Sequence, residues 1–188
     1  MDMKKMIVVV MMLMFMTGCG SSNSTLKPAL ELRNRLLAGN GCSFDAVITA
    51  DYGEKLYNFE MHCDVDSKGD MQFSVIAPES IQGISGIIDG GGGRLTYEDF
   101  ILAFPNIIDD NTTPVMAPWI LINSLRCGYI QSVSSSDEYD VVTVNDSYED
   151  DALELDVWLG RDGLPVGGEI LYRGRRYLTV NVTNFAFS

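Results

Sequence analysis

Four cysteines, a single histidine and two runs of carboxylates carry most of the capacity of this chain for nucleophilic or metal chemistry. Their spacing directs little of it toward catalysis. Cys42 and Cys63 stand in neighbouring segments that alternate apolar and polar residues. A hairpin joining those segments places both on one face, opposite or one diagonal apart, so they form either a disulfide or a pair of small core thiols. Cys127 is then the odd thiol, expected to be buried at a helix end. His62 lies between Met61 and Cys63, and alternation points it away from Cys63, against the convergence of ligands that a metal site needs. No nucleophile motif accompanies it, and it reads as a surface residue of a strand. Asp109-Asp110 and Asp146-Ser147-Tyr148-Glu149-Asp150-Asp151 lack the D-x-[DN]-x-[DN]-G spacing of a calcium loop and read as solvated loops. Loop carboxylates without a cleft predict no glycosidase chemistry. Gly90-Gly91-Gly92-Gly93 lacks the Lys-Ser/Thr and helix of a phosphate loop and reads as a flexible turn. No catalytic residue and no metal ligand is expected.

Cys19 is the exception. Lys4 and Lys5 precede an apolar run over residues 6–16, which ends in Thr17-Gly18-Cys19. This is the order of charged, apolar and small residues in a signal peptide. At about 1.5 Å per residue the run is too short to cross a hydrocarbon core of about 30 Å as a permanent helix. Met16-Thr17-Gly18-Cys19 resembles a lipobox, in which the cysteine thiol takes a diacylglycerol before cleavage on its N-terminal side. Residues 1–18 are thus expected to be removed, Cys19 to carry the lipid, and residues 19–25 to form a flexible Gly/Ser tether. Two acyl chains suffice for stable anchoring, at about 0.8 kcal/mol per buried methylene. No other cofactor is expected. Gly20 rather than Asp follows the cysteine, so retention in a Gram-negative inner membrane is not indicated. In a Gram-positive cell the expected location is the outer face of the cytoplasmic membrane; these residues leave the Gram type open.

The formal charge is −13, and loss of Asp2, Lys4 and Lys5 with residues 1–18 leaves the remainder one unit more acidic. Nucleic acid, which demands clustered Lys and Arg, is excluded as a partner. The balance also argues against electrostatic docking to anionic lipid.

These residues are positioned by one domain over 26–188. Residues 26–38 read as an amphipathic helix capped by Ser24 or Thr25, with Pro28 in its first turn and Gly39-Asn40-Gly41 as its stop. Its expected buried face is Leu26, Ala29, Leu30, Leu36 and Leu37. Period-two alternation follows over 42–51, 56–66 and 71–77, and shorter strands over 84–89, 94–97 and 100–104. Residues 105–113 read as a polar loop, and 118–128 as a short helix apolar around most of its girth, hence buried. Strands then resume over 129–133, 139–146, 153–159, 166–172 and 176–187. The fold class is α+β, mainly β: a meander of about eleven antiparallel strands is too long to stay flat and curls into a half-barrel, with two helices over its concave face.

In element order, and in phrases such as Phe73-Ser74-Val75-Ile76-Ala77-Pro78 and Tyr172-Arg173-Gly174-Arg175-Arg176, the chain resembles the LolA/LolB type of lipoprotein carrier and receptor over nearly all of 26–188. The segments Pro78-Glu79-Ser80-Ile81-Gln82-Gly83-Ile84 and Pro114-Val115-Met116-Ala117-Pro118-Trp119 are more similar to Firmicute, clostridial LolA-like lipoproteins, including the spore-germination type that partners a cell-wall amidase. The resemblance implies a non-enzymatic protein of the cell envelope. Such a protein binds an acyl or lipid-like ligand in its half-barrel, or acts as an interaction module that tethers a cell-wall enzyme. The candidate ligand surface is the set Phe44, Phe59, Met61, Phe73, Val75, Trp119, Ile120 and Trp158. The same residues would equally form a packed core.

Overall fold

A computed structural model describes residues 26–105, 107–108, 111–149 and 152–188. The signal peptide, Cys19, the tether, the candidate caps Ser24 and Thr25, Asp109-Asp110 and Asp150-Asp151 lie outside the described residues.

Helix α1 (Lys27–Ala38) leads into strands β1 (Gly41–Asp51), β2 (Leu56–Asp66), β3 (Met71–Ala77), β4 (Ser85–Asp89), β5 (Gly92–Tyr97) and β6 (Phe100–Phe104). A two-stranded ribbon, β7 (Ile107–Ile108) and β8 (Asn111–Thr112), and a 3-10 turn (Pro114–Met116) precede helix α2 (Ala117–Cys127). The chain ends in β9 (Tyr129–Ser135), β10 (Asp140–Asn145), β11 (Leu153–Leu159), β12 (Pro165–Tyr172) and β13 (Arg175–Phe187). Eleven strands form one antiparallel sheet in the order β6-β5-β4-β3-β2-β1-β13-β12-β11-β10-β9. The first and last long strands therefore meet at the centre, and β6 and β9 are left as edges. This is the mainly β, curled open sheet with two helices that the alternation predicts.

The concave face is built from every second residue. Cys42, Phe44, Ala46, Ile48 and Ala50 of β1 are buried, as are Leu155, Val157 and Leu159 of β11, and Leu178, Val180 and Val182 of β13. Helix α2 packs on β1 and β10 to β13 and is buried over most of its length. Removal of apolar surface from water at about 25 cal/mol per Å² drives this packing.

The two helices are joined by their arginines. Arg33 of α1 donates through Nε to Leu125 O at 2.7 Å and through Nη2 to Gly128 O at 2.7 Å, satisfying carbonyls at the end of α2. Arg126 of α2 returns the contact, donating to Leu36 O in the last turn of α1 at 2.7 Å and to Ser67 O at 2.9 Å. Terminal carbonyls without an intrahelical partner are otherwise left to water, and a guanidinium also complements the negative end of the helix dipole. Burial of the Arg33 guanidinium lowers its pKa.

Several expectations are corrected. In α1 the buried residues are Ala29, Leu32 and Leu36, while Leu30 and Leu37 are exposed; docking of Arg33 on α2 sets the rotation of the helix and brings Leu32 inward. Of the two arrangements expected for Cys42 and Cys63 the structure shows the second, small core thiols: Cys42 pairs with Val65 and Phe44 with Cys63, so the two sit on a diagonal and both are free. A diagonal separates Cβ atoms by about 7 Å, beyond disulfide reach. Burial pushes the Cys42 thiol up to about 11 and Cys63 well above its ordinary value. Cys127 is exposed, not buried. Gly92 and Gly93 belong to β5 rather than to the turn. A Cβ on Gly93 would lie 2.2 Å from the Phe104 ring, so only glycine lets that ring lie on the strand.

Candidate functional site

At the β3, β4, β5 and β6 side of the sheet the concave face is open. A cavity of about 500 Å³ lies there, walled by Tyr52, Tyr57, Phe59, Val75, Ile81 and Ile84 on one side and by Leu95, Leu102, Phe104 and residues 113–115 on the other. Its volume falls within the range of about 300–1,000 Å³ usual for small-molecule sites, and its lining is almost wholly apolar. Strand geometry explains the walls. Phe59, Val75 and Leu95 are inward residues of β2, β3 and β5, and the turn between β3 and β4 folds over the rim, where Gly83 N donates to Val75 O at 3.3 Å and Val75 N to Ile84 O at 2.7 Å. That turn carries Ile81 and Ile84 into the wall. Burial raises the Tyr52 hydroxyl to about 12, so it stays protonated.

Phe59 and Val75 are the two members of the sequence-derived surface that line this cavity. Phe44, Met61 and Phe73 are core residues beneath the helices and sheet, Phe44 stacked on Phe185 with ring centres 5.8 Å apart. Trp119 is held in the core by its indole N–H, which donates to Gly69 O at 2.9 Å, and Ile120 is buried beside it. Trp158 stands on the convex face against Tyr139, because Val157 and Leu159 occupy the inward positions of β11. The lining residues outside the predicted strands come from turns: Tyr52, Ile81, Thr113, Pro114 and Val115; Ile84, expected to open a strand, lies just before β4. The signal available for them is the run of apolar residues inside Pro/Gly-punctuated turns.

The convex face holds the one ionic network near a histidine. His62 Nδ1 lies 2.6 Å from Asp45 Oδ1 and Nε2 lies 3.5 Å from Asp64 Oδ2. Asn184 Nδ2 donates to Asp45 Oδ2 at 2.7 Å. Hydrogen bonds from Asn184 and His62 hold the Asp45 carboxyl below its ordinary range. Ser74 stands across from His62 on β3, but the ring turns Nε2 toward Asp64, so base and hydroxyl are not joined. The network seats β13 on β1 at a bulge, where Asn184 takes a φ of 54°.

No family model matches the sequence, and no curated protein matches it. Solved structures similar in shape include a LolA superfamily protein from Nitrosomonas europaea (9% identity, 90% of this chain and 94% of that one, TM-score 0.49). A putative outer membrane lipoprotein-sorting protein domain from Vibrio parahaemolyticus gives 10% identity over 89% and 94% of the two chains, with a TM-score of 0.49. Mycobacterium tuberculosis lipoprotein LppX gives 12% identity over 88% and 96%, with a TM-score of 0.42.

Proposed function

We propose that this chain is a lipid-anchored, non-enzymatic binding protein of the cell envelope. Cys19 carries a diacylglycerol on the outer face of the cytoplasmic membrane of a Gram-positive cell, residues 19–25 form the tether, and the domain over 26–188 binds an acyl or other lipid-like ligand. The observation that supports this reading is the apolar cavity of about 500 Å³ on the concave face. Each methylene transferred from water contributes about 0.8 kcal/mol, so a single chain laid among these side chains gains enough to offset its own ordering. An anchored domain acts as a fixed receptor or acceptor rather than as a soluble ferry.

Native mass spectrometry of the protein purified from its own host tests this. The expected result is a lipid-sized adduct released by organic solvent; a protein that arrives bare, or with a stoichiometric protein partner and no lipid, would sink the proposal. Cys19→Ser should move the protein out of the membrane fraction.

A second reading, a module that tethers a cell-wall enzyme, is favoured by the edge strand β6. Phe100, Ile101 and Leu102 are 75%, 74% and 59% exposed, and β6 pairs on one side only. An extended partner segment could add to it as a strand.

A further inference from the structure

The cavity wall does not end at Tyr57. Ring centres step from Tyr57 to Tyr52 at 6.1 Å, from Tyr52 to Tyr177 at 6.4 Å and from Tyr177 to Tyr172 at 6.4 Å. Two of these tyrosines line the cavity, and the other two carry its aromatic wall across the end of the sheet to β12. Guanidinium groups ride on this shelf. Arg175 lies 5.0 Å from the centre of the Tyr177 ring and Arg173 lies 5.0 Å from that of Tyr172. Lys55 stands in the facing turn between β1 and β2, and a Cβ on Gly53 of that turn would lie 3.4 Å from Arg175 Nη2.

The turn that presents the arginines is tight. Tyr172 and Arg175 form the last pair of the β12–β13 hairpin, and Arg173 and Gly174 between them have φ of 51° and 74°. Such a turn favours Asn, Asp or Gly at its first position; here it holds arginine.

With 13 Lys and Arg against 26 Asp and Glu, basic groups have ample partners, and Arg176 takes one, Glu169 at 2.6 Å. Among the described residues Lys55, Arg173 and Arg175 form no ion pair. Nearby Asp51 accepts from Gly53 N–H at 2.8 Å, and Asp146 accepts from Leu153 N–H at 2.8 Å. Arg173 and Arg175 thus stand on the continuation of the cavity's aromatic wall, and among the described residues no carboxylate pairs with either. A guanidinium stacked on a ring presents a planar fork that matches a carboxylate or phosphate.

We propose that the ligand is an acidic amphiphile, with its tail among Phe59, Val75, Ile84 and Leu95 and its carboxylate or phosphate head held by Arg173 and Arg175 on the tyrosine shelf. This rests on the cavity being a lipid site, and adds the charge of the head group.

The test uses the full chain, extracted from membranes in an uncharged detergent, freed of lipid, and titrated with hexadecanoate and with hexadecanol. Hexadecanoate should bind about tenfold or more tightly than the alcohol, a difference of about 1.4 kcal/mol. Arg173→Asn with Arg175→Gln keeps a turn-compatible residue at 173 and should bring hexadecanoate down to the affinity of hexadecanol, which itself stays unchanged. Tighter binding of lysophosphatidate than of hexadecanoate supports the head-group site and assigns it to phosphate. Equal affinities for acid and alcohol, or an unchanged affinity for acid in the double variant, overturn the acidic head while the lipid cavity stands. Failure of the wild-type chain to bind either molecule overturns the cavity reading and the head group with it.

Discussion

The two sides of this sheet share one residue pattern and reach opposite outcomes. Beneath α1 and α2, the inward residues of β1 and β10 to β13 are shut away: Phe44, Ile48, Val142, Leu155 and Val180 have no exposed surface. On the β4, β5 and β6 side the same alternation leaves Leu95 half-buried and Leu102 open at a cavity. What differs is the cover. Two helices, each closing the other's C-terminal carbonyls through Arg33 and Arg126, fill the first side. The second is spanned at its rim by residues 113–115 and the turn between β3 and β4. An inward apolar residue is thus core or binding wall according to the element laid over it.

The largest contrast should appear in stability. Phe44→Ala removes a fully buried ring and should cost about 3–5 kcal/mol, read as a lowered urea midpoint. Leu102→Ala, on an exposed strand, should change stability by no more than about 0.5 kcal/mol. Comparable losses at the two sites would dissolve the distinction between packed and open sides.

The helix clasp comes next. Arg126→Met keeps the bulk of the buried stem and deletes the donors to Leu36 O and Ser67 O. The buried Leu36 O and the part-buried Ser67 O lose a charged partner, at a cost of about 2–3 kcal/mol. Thermal unfolding should register it, and the cavity on the far side should keep its ligand affinity. Loss of affinity in this variant would mean that the clasp also shapes the site.

Filling the open side should do the reverse. Ile84→Trp places a large ring in the cavity wall and should weaken hexadecanoate binding by about tenfold while stability moves by less than about 1 kcal/mol. Titration of the variant alongside its unfolding curve distinguishes a blocked site from a damaged fold. Unchanged affinity would move the ligand out of this cavity.

The strands were legible from alternation because each inward position is paid in burial on either side of the sheet: residues 56–66, 71–77, 100–104 and 153–159 form strands with the bounds that the pattern predicts. The site was legible only where it uses strands, at Phe59 and Val75. Ile81, Pro114 and Val115 sit in turns, whose path depends on backbone bonds such as Gly83 N to Val75 O rather than on periodicity. Rotation of α1 and the direction of Trp158 failed for a related reason. Helix rotation follows a long-range contact, Arg33 on Leu125 O, and an aromatic residue in a strand fits either face, so its neighbours Val157 and Leu159 settle the matter by taking the inside. Cys42 and Cys63 depended on a register that face assignment leaves open by one pair.

The packed side also owns a polar seam on its convex face, and pH probes it. Asp45 accepts from Asn184 at the β1–β13 bulge, and its folded-state pKa lies below the ordinary 3.8. A depressed carboxylate contributes stability above its unfolded pKa and loses it as pH falls through the folded value. Asn184→Gly keeps a residue suited to the φ of 54° and removes the amide donor. The variant should be less stable by about 1 kcal/mol near neutral pH. That gap should hold down to about pH 4 and close below it, as protonation of Asp45 removes the bond from the wild type as well. Urea unfolding at a series of pH values measures the gap. A gap that persists unchanged under strong acid would assign the effect of Asn184 to the backbone of the bulge and not to Asp45.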